Sequence, residues 1–377
     1  MTKVKWRRTW FSVHKWIGLI LAIAILPLCV SGAALVYGHA LDRAVNPQRY
    51  ATSGEALLTP DRYVAAAQAR SRPGERIAQL SYPDEGGAVT VALSPAPKPG
   101  EAAGPPRAGP PQRTVVYLDP PTARVLEVAA SGGGLVRFFH VLHGSLQIPG
   151  GWGRSIVGWI GVAMMVSAFT GLWLWWPTVG SLKRGLRWGR HRNVDTNLHQ
   201  TFGFWIALPL FVLSLTGAWI SFPQFFGGLV GEGRPRGPDR MAQARARPVE
   251  AARLSAGAAI DRARALTAGT VRQVTWPTEK KPDWSVQLRP QRGAPVTVSV
   301  ADDDGVAAVA PAMGGQGGVG RFMRQLHEGE IGGTVWAAIV FLGGLIPAML
   351  AVTGIVMWWR ARGWKAQLAA RQRARAA

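Results

Sequence analysis

His14-Lys15-Trp16-Ile17-Gly18, with Ser31-Gly32 at offsets 17 and 18, returns as His199-Gln200-Thr201-Phe202-Gly203, with Thr216-Gly217 at the same offsets and no gap. The later parts of the two halves match as well. Arg137-Phe138-Phe139-His140-Val141-Leu142-His143 parallels Arg321-Phe322-Met323-Arg324-Gln325-Leu326-His327. Each leads into an apolar run, closing on Thr170-Gly171 and Trp175-Trp176 in one case and on Thr353-Gly354 and Trp358-Trp359 in the other. An in-register repeat of this length predicts two copies of one structural unit, related by a pseudo-twofold axis. Under that axis His14 faces His199 and His143 faces His327. Two facing imidazoles are what a six-coordinate haem iron requires.

Four apolar stretches without a charged residue run from Trp16 to Tyr37, Ile156 to Trp176, Phe202 to Phe222 and Thr334 to Trp359. Each exceeds the roughly 20 residues that carry a helix across about 30 Å of hydrocarbon, so the chain is expected to span a membrane four times. The net charge of +22 is distributed to suit. Residues 1–15, the 177–201 loop and the tail after Trp359 together hold 16 basic residues and one acidic one, all on one side of a four-span chain. The two long connections are close to balanced, with 11 basic against 9 acidic residues over 39–150 and 15 against 11 over 223–333. This is the positive-inside pattern, with both termini and the short loop cytoplasmic and both long loops outside. A nucleic-acid partner is excluded, because no basic stripe is interleaved with stacking aromatics. The first apolar run is longer than a signal-peptide core, and cleavage there would discard His14, so it is read as a retained span. Cys29 is the single cysteine, which excludes an intrachain disulfide and reads as a small apolar residue in a span.

The expected order is a cytoplasmic N-terminus and first span (1–38), an outer module (39–139), an outer histidine segment and second span (140–176), a basic cytoplasmic loop (177–198), a third span (199–222), a second outer module (223–320), a second histidine segment and fourth span (321–359), and a basic tail (360–377). The first module predicts a helix from Thr59 to Arg70 and strands at Ala88 to Leu93 and Thr114 to Leu118. Between those strands, Ser94 to Pro111 is a Pro/Gly/Ala-rich insertion. The second predicts a helix from Ala251 to Leu266 and strands at Val271 to Trp276, Trp284 to Leu288 and Val296 to Val300. Gly132-Gly133-Gly134 and Gly314-Gly315-Gln316-Gly317-Gly318 stand before the two histidine segments, as flexible linkers or as hinges.

The axial-ligand candidates are therefore His14 with His199 and His143 with His327. Gly18 and Gly203, one turn beyond the first pair, leave room for a flat macrocycle against the backbone. His140 shares a helical face with His143 and is an alternate ligand or a supporting residue, although its repeat equivalent is Arg324. His39 is a reserve candidate, and His191 lacks a repeat partner. Ser31-Gly32 and Thr216-Gly217 serve either helix packing or a cofactor slot. Arg7, Arg8 and Lys15 at the inner pair, and Arg137, Arg154, Arg321 and Arg324 at the outer pair, are possible partners for haem propionates. Trp175, Trp176, Trp358 and Trp359 fit an aromatic belt. Pro27 and Pro209 interrupt the first and third spans. With no Cys-x-x-Cys-His, any haem is b-type, and two are expected, one near each face. Filled axial positions favour electron transfer over oxygen chemistry. The chain has no Gly-x-Gly-x-x-Gly after a strand, P-loop, cysteine cluster or Ser-His-Asp set. Electrons are therefore expected from a cytoplasmic partner or from quinol.

A His at the head of the first span, a Leu-His before the second, Thr-Gly and Trp-Trp at its end, and helix-plus-strand outer loops resemble the PepSY-associated transmembrane family over nearly the whole chain. The resemblance implies a mainly α membrane protein of the bacterial inner membrane. It would be a four-transmembrane-helix bundle from two repeated halves, carrying two small α+β PepSY-like periplasmic modules. The resemblance also implies an iron-linked activity like that of haem-containing siderophore reductases: electrons pass from the cytoplasmic side to a periplasmic ferric siderophore, releasing Fe(II). The competing expectations are a membrane-anchored PepSY protein that binds or regulates a periplasmic partner, as a protease inhibitor or sensor, and a siderophore or iron transporter component. The absence of charge within the spans weighs against transport.

Overall fold

The computed structural model describes residues 3–83, 86–96, 112–179, 181–232, 246–292, 295–310 and 318–376. Most of the Pro-rich insertion, and Gly314 to Gly317, lie outside the described residues. The chain divides into two compact units, residues 1–38, 138–233 and 316–377 in one and residues 39–137 and 234–315 in the other.

The first unit is helical. Its long elements are α1 (Lys3–Val36), α5 (Gly151–Val179), α7 (Val194–Ser221) and α11 (Gly333–Ala376), with α4 (Leu135–Ser145), α6 (Leu182–Gly185), α8 (Pro223–Leu229) and α10 (Gly318–Glu328) between them. All four long helices are long and apolar enough to cross a membrane. They are neighbours in the ring order α1, α5, α7, α11. Without a hydrophobic drive between helices in lipid, close approach depends on small residues at the crossings. A Cβ on Gly344 of α11 would lie 2.5 Å from the Cys29 carbonyl of α1, and one on Gly161 of α5 would lie 3.2 Å from the Ser214 carbonyl of α7. Large apolar side chains such as Ile23 (86% exposed) and Leu208 (70%) face outward, as suits lipid rather than water. This is a membrane protein.

The helix that carries the first apolar run begins earlier than the run, at Lys3, and the one that carries the last continues past it to Ala376, because helix continues through polar sequence once nucleated. Residues 223–233 fall in the helical unit, not in the second outer module. Trp219 of α7 stacks on Phe226 of α8 with ring centroids 5.0 Å apart. The Glu232 carboxylate then accepts from the backbone N–H groups of Val319 (2.8 Å) and Gly320 (3.2 Å), satisfying orphan donors at the start of α10.

The second unit contains α2 (Gly38–Val45), a 3-10 turn at Pro47–Tyr50, α3 (Pro60–Gln68), α9 (Ala256–Leu266) and eight strands. These are β1 (Arg76–Ser81), β2 (Val89–Ser94), β3 (Thr114–Leu118), β4 (Val125–Ala130), β5 (Thr270–Thr275), β6 (Asp283–Arg289), β7 (Val296–Ala301) and β8 (Ala307–Val309). Sequence reading places two separate modules here. The structure joins them into one antiparallel sheet of order β4-β3-β2-β1-β5-β6-β7-β8. Leu80 pairs with Val274 at the junction, flanked by Gln79 with Thr275 and Ser81 with Gln273. The same local contact occurs on both sides of it. The Gln79 amide donates to the Ser81 hydroxyl (2.9 Å), and the Gln273 amide donates to the Thr275 hydroxyl (3.1 Å).

Alternate strand residues point inward from one face of the sheet, among them Leu80, Val91, Leu93, Val116, Val274, Val286, Leu288 and Val298, all fully buried. They meet Tyr63 and Ala67 of α3 and Ala259, Ile260 and Ala263 of α9 in one core. Each buried Val or Leu side chain contributes about 1.5–3 kcal/mol of transfer free energy.

Two buried-edge carboxylates pin the loops of this unit. Burial alone would raise Asp119, but donors from the Ser53 hydroxyl (2.6 Å), the Ser53 N–H (2.7 Å) and the Thr122 hydroxyl, with the Arg124 charge, hold its carboxyl below the ordinary range. Asp302 is held low in the same way, against burial, by the N–H groups of Arg253 (2.9 Å) and Leu254 (3.0 Å) and the Trp284 indole (2.7 Å). Both groups are depressed on folding. The stability they contribute is therefore complete above the unfolded carboxylate pKa of about 4 and is lost as pH falls through the lower folded values. Thermal unfolding of this unit is expected to be level down to about pH 4 and to weaken below it. Asp119→Asn is expected to cost about 2 kcal/mol at neutral pH and to flatten that acid limb. An unaltered acid limb in the variant would assign the loss to other carboxylates.

Candidate functional site

Four histidines meet in two pairs within the helical unit. His14 of α1 and His199 of α7 have ring centroids 6.4 Å apart, and His143 of α4 and His327 of α10 have centroids 6.0 Å apart. An imidazole nitrogen sits about 2.0 Å from a bound metal and about 1.1 Å from its own ring centre. Two rings on opposite sides of one metal would therefore be about 6.2 Å apart, centre to centre. Both pairs match that spacing.

Each ring is seated on a hydroxyl-glycine step of a neighbouring helix. His14 lies on Thr170-Gly171 of α5, His199 on Thr353-Gly354 of α11 and His327 on Thr216-Gly217 of α7, while His143 lies on Gly32 of α1, which Ser31 precedes in sequence. A Cβ would come within 2.7 Å of the His143 ring at Gly32 and 2.9 Å of the His14 ring at Gly171, so only glycine leaves room there. The Nδ1 atoms are all engaged. His14 Nδ1 contacts the Ser167 carbonyl (3.1 Å) and the Thr170 hydroxyl (3.2 Å), and His143 Nδ1 contacts the Leu28 carbonyl (2.8 Å). His199 Nδ1 reaches the Thr353 hydroxyl (3.0 Å), and His327 Nδ1 reaches the Thr216 hydroxyl (2.9 Å).

These partners fix the tautomer. A carbonyl only accepts, so His14 and His143 carry their proton on Nδ1. The Thr353 hydroxyl donates its single hydrogen to its own helix at Met349 or Leu350, and the Thr216 hydroxyl to Val212 or Leu213. Both hydroxyls must therefore accept from the imidazole. All four Nε2 atoms keep a free lone pair, the arrangement in which a ligating histidine is oriented by its other nitrogen.

The surroundings bear on what these pairs could hold. No group of three or more His, Cys, Asp or Glu side chains is gathered for a metal ion among the described residues. A metal on either pair would take its remaining donors from outside these side chains, as a macrocycle can supply. Gly18, one turn from His14, would meet nothing with a Cβ, and Gly203, one turn from His199, would meet only Leu350 at 4.0 Å. Trp175, one turn beyond Gly171, is 7% exposed and packs on Phe204 at 4.2 Å. Its buried Nε1–H has no acceptor among the described residues. An unused donor there suits a carboxylate such as a haem propionate. The residues present fit haem at both pairs.

The other sequence candidates separate clearly. His140 is exposed on α4, and the ring facing His327 is His143. His39 is exposed in α2, within the sheet unit. His191 is tied to α7 through Gln200 (2.8 Å) and Asn197. Arg7 donates to the Leu174 carbonyl (3.2 Å), beside Trp175, and Lys15 lies over Trp16 (4.8 Å). Arg154 donates to the Ile220 carbonyl, Arg324 pairs with Glu328 (3.0 Å), and Arg8, Arg137 and Arg321 are exposed. Trp176 (59% exposed) and Trp359 (71%) fit a belt, whereas Trp175 does not. Sequence reading missed the four seats as a set. Their signal was the recurrence of Ser/Thr-Gly four times, each opposite a histidine.

Fold and site together define a four-span membrane protein with two paired-imidazole positions about 27 Å apart along α1, at 1.5 Å per residue from His14 to Gly32. The chain belongs to the PepSY-associated TM region family, whose model matches residues 11–361. No curated protein matches it in sequence.

Proposed function

We propose that the chain is a di-haem inner-membrane reductase that moves electrons from the cytoplasmic side to a periplasmic ferric siderophore, releasing Fe(II). The observation that carries this reading is the paired, Nδ1-anchored imidazoles, repeated at two depths of one helical bundle. His14 and His199 would hold one haem b, and His143 and His327 the other. When bound there, haem b would supply one-electron transfer. The chain's own part is to fix the four rings before binding, through the Ser/Thr-Gly seats and the Trp336 indole, which holds the end of α10 at the Leu326 carbonyl (2.8 Å). The charge asymmetry of the loops supports placing the termini in the cytoplasm and the sheet unit in the periplasm. Hard oxygen donors hold Fe(III) far more tightly than Fe(II), so one electron suffices to free the metal.

Protein purified in detergent from haem-replete cells is expected to be red. Its spectrum should be b-type, low-spin and six-coordinate, with about two haems per chain. A colourless preparation would overturn the reading. It would favour instead a membrane-anchored protein whose sheet unit binds or regulates a periplasmic partner.

A further inference from the structure

The sheet unit contains a cavity of about 700 Å³ that both halves of the chain line, with Arg76 from the first half and Arg247, Trp276 and Trp284 from the second. Its polar groups are unequally committed. Glu75 accepts from the Arg72 N–H (2.8 Å) and the Thr114 hydroxyl (2.7 Å), and Asp61 lies over the first turn of α9, where a Cβ on Gly257 would be 3.2 Å from its carboxylate. Glu75 is thus engaged, whereas the Asp61 carboxylate accepts no hydrogen bond among the described residues. Arg247 uses one nitrogen on the Gly74 carbonyl (3.0 Å), and its Nε is buried with no acceptor among the described residues.

Arg76 is oriented from behind by the Pro248 carbonyl (2.8 Å), and its side chain is only 17% exposed. Its acidic partners are surface groups, Glu250 at 85% and Glu279 at 58% exposed. Exposed ion pairs of this kind contribute about 0–1 kcal/mol, so an incoming anion can replace them at little cost. The wall beside the two guanidinium groups is aromatic. Trp276 is half-buried and lies 4.8 Å from Trp284, whose own N–H is taken by Asp302. What the cavity offers is two arginine donor sets and an indole face, with the carboxylates of Asp61 and Glu250 also in its lining.

We infer that this cavity binds an anionic, oxygen-rich chelate with flat aromatic arms, whose acidic oxygens take Arg76 and Arg247 and whose rings stack on Trp276. That the occupant is the ferric substrate rests on the function proposed above; the anion-binding chemistry of the cavity does not.

The test uses the full chain in detergent and the gallium(III) complex of a tris-catecholate, which carries the charge of the ferric complex and is not reduced. Tryptophan fluorescence is expected to be quenched saturably, with affinity falling as salt rises. Arg247→Gln and Trp276→Ala are each expected to raise Kd at least tenfold with the circular dichroism unchanged. Arg247→Lys and Trp276→Phe, which keep the charge and the ring, should restore part of the affinity and guard against a folding defect. Wild-type affinity in Arg247→Gln and Trp276→Ala would overturn the inference while leaving the proposed reductase intact. Binding that these variants lose, in a protein that carries no haem, would support the cavity and overturn the reductase. A neutral trihydroxamate complex bound as tightly as the tris-catecholate would also count against the inference, since the arginines would then not be selecting charge.

Discussion

Replacing His14 or His199 by alanine is expected to lower the haem content from about two per chain to about one, and replacing His143 or His327 to remove the complementary one. The size of the effect follows from the geometry. Each ring stands opposite one other ring, 6.4 Å and 6.0 Å between centroids, and no third donor is gathered at either pair among the described residues. Loss of one axial ligand therefore leaves a single imidazole. The two pairs rest on different partners, Thr170 and Thr353 against the Leu28 carbonyl and Thr216, so loss of one need not disturb the other. Pyridine haemochrome content with the low-temperature spectrum distinguishes the outcomes. Removing an orienting hydroxyl, as in Thr353→Val, should weaken haem retention by about 10- to 100-fold without abolishing it. If His140→Ala abolished one haem while His143→Ala kept both, the pairing of His143 with His327 would not be the ligand set.

Transport of electrons across the bilayer should be all or nothing in the same variants. In vesicles with reductant trapped on the cytoplasmic face and a ferric siderophore outside, the wild type is expected to reduce the external iron. His14→Ala and His327→Ala should each fall to the rate of empty vesicles. The paired positions are about 27 Å apart along α1, too far for one to bypass the other. Cyanide and carbon monoxide should inhibit only weakly, because a haem held as proposed would have a histidine on both sides. A variant lacking the inner haem that still reduced external iron from inside would refute a relay through both pairs.

The repeat made the positions of His14, His143, His199 and His327 legible, because in-register copies can be aligned within one chain. The four spans were legible from hydropathy for a similar reason: lipid tolerates no internal exception. The strands Val89–Ser94, Thr114–Leu118, Asp283–Arg289 and Val296–Ala301 showed their alternation in sequence. Arg76–Ser81 and Val125–Ala130 did not. The first, Arg-Ile-Ala-Gln-Leu-Ser, carries a bulge between Ile77 and Gln79 that breaks its alternation, and the second is an edge strand with no fully buried residue. Nor could periodicity show that β1 pairs with β5, since that contact joins residues nearly 200 positions apart. In sequence, Gly32 is open between helix packing and a cofactor slot, and Gly171 is visible only as part of the repeat. Only the three-dimensional structure shows that a ring lies where each side chain would be. Trp175 read as a belt residue from its place at a span end, yet its contact with Phe204 turns it inward.

The pairing of β1 with β5 has a consequence for ancestry. Leu80 and Val274 occupy the same place in Arg76–Ser81 and Thr270–Thr275, and they pair with each other, so the register maps onto itself when the strands are exchanged. A polypeptide half as long would carry one four-stranded meander with β1 bare along its edge. Such an edge seeks a partner. The partner that fits this register without adjustment is another copy of the same half, turned about a twofold axis. The histidines obey the same rule, since each half supplies one ring to each pair. A half-length progenitor would thus have been complete only as a homodimer, and joining two genes end to end would have made that dimer permanent. His140 and Arg324 mark one position at which the two halves differ.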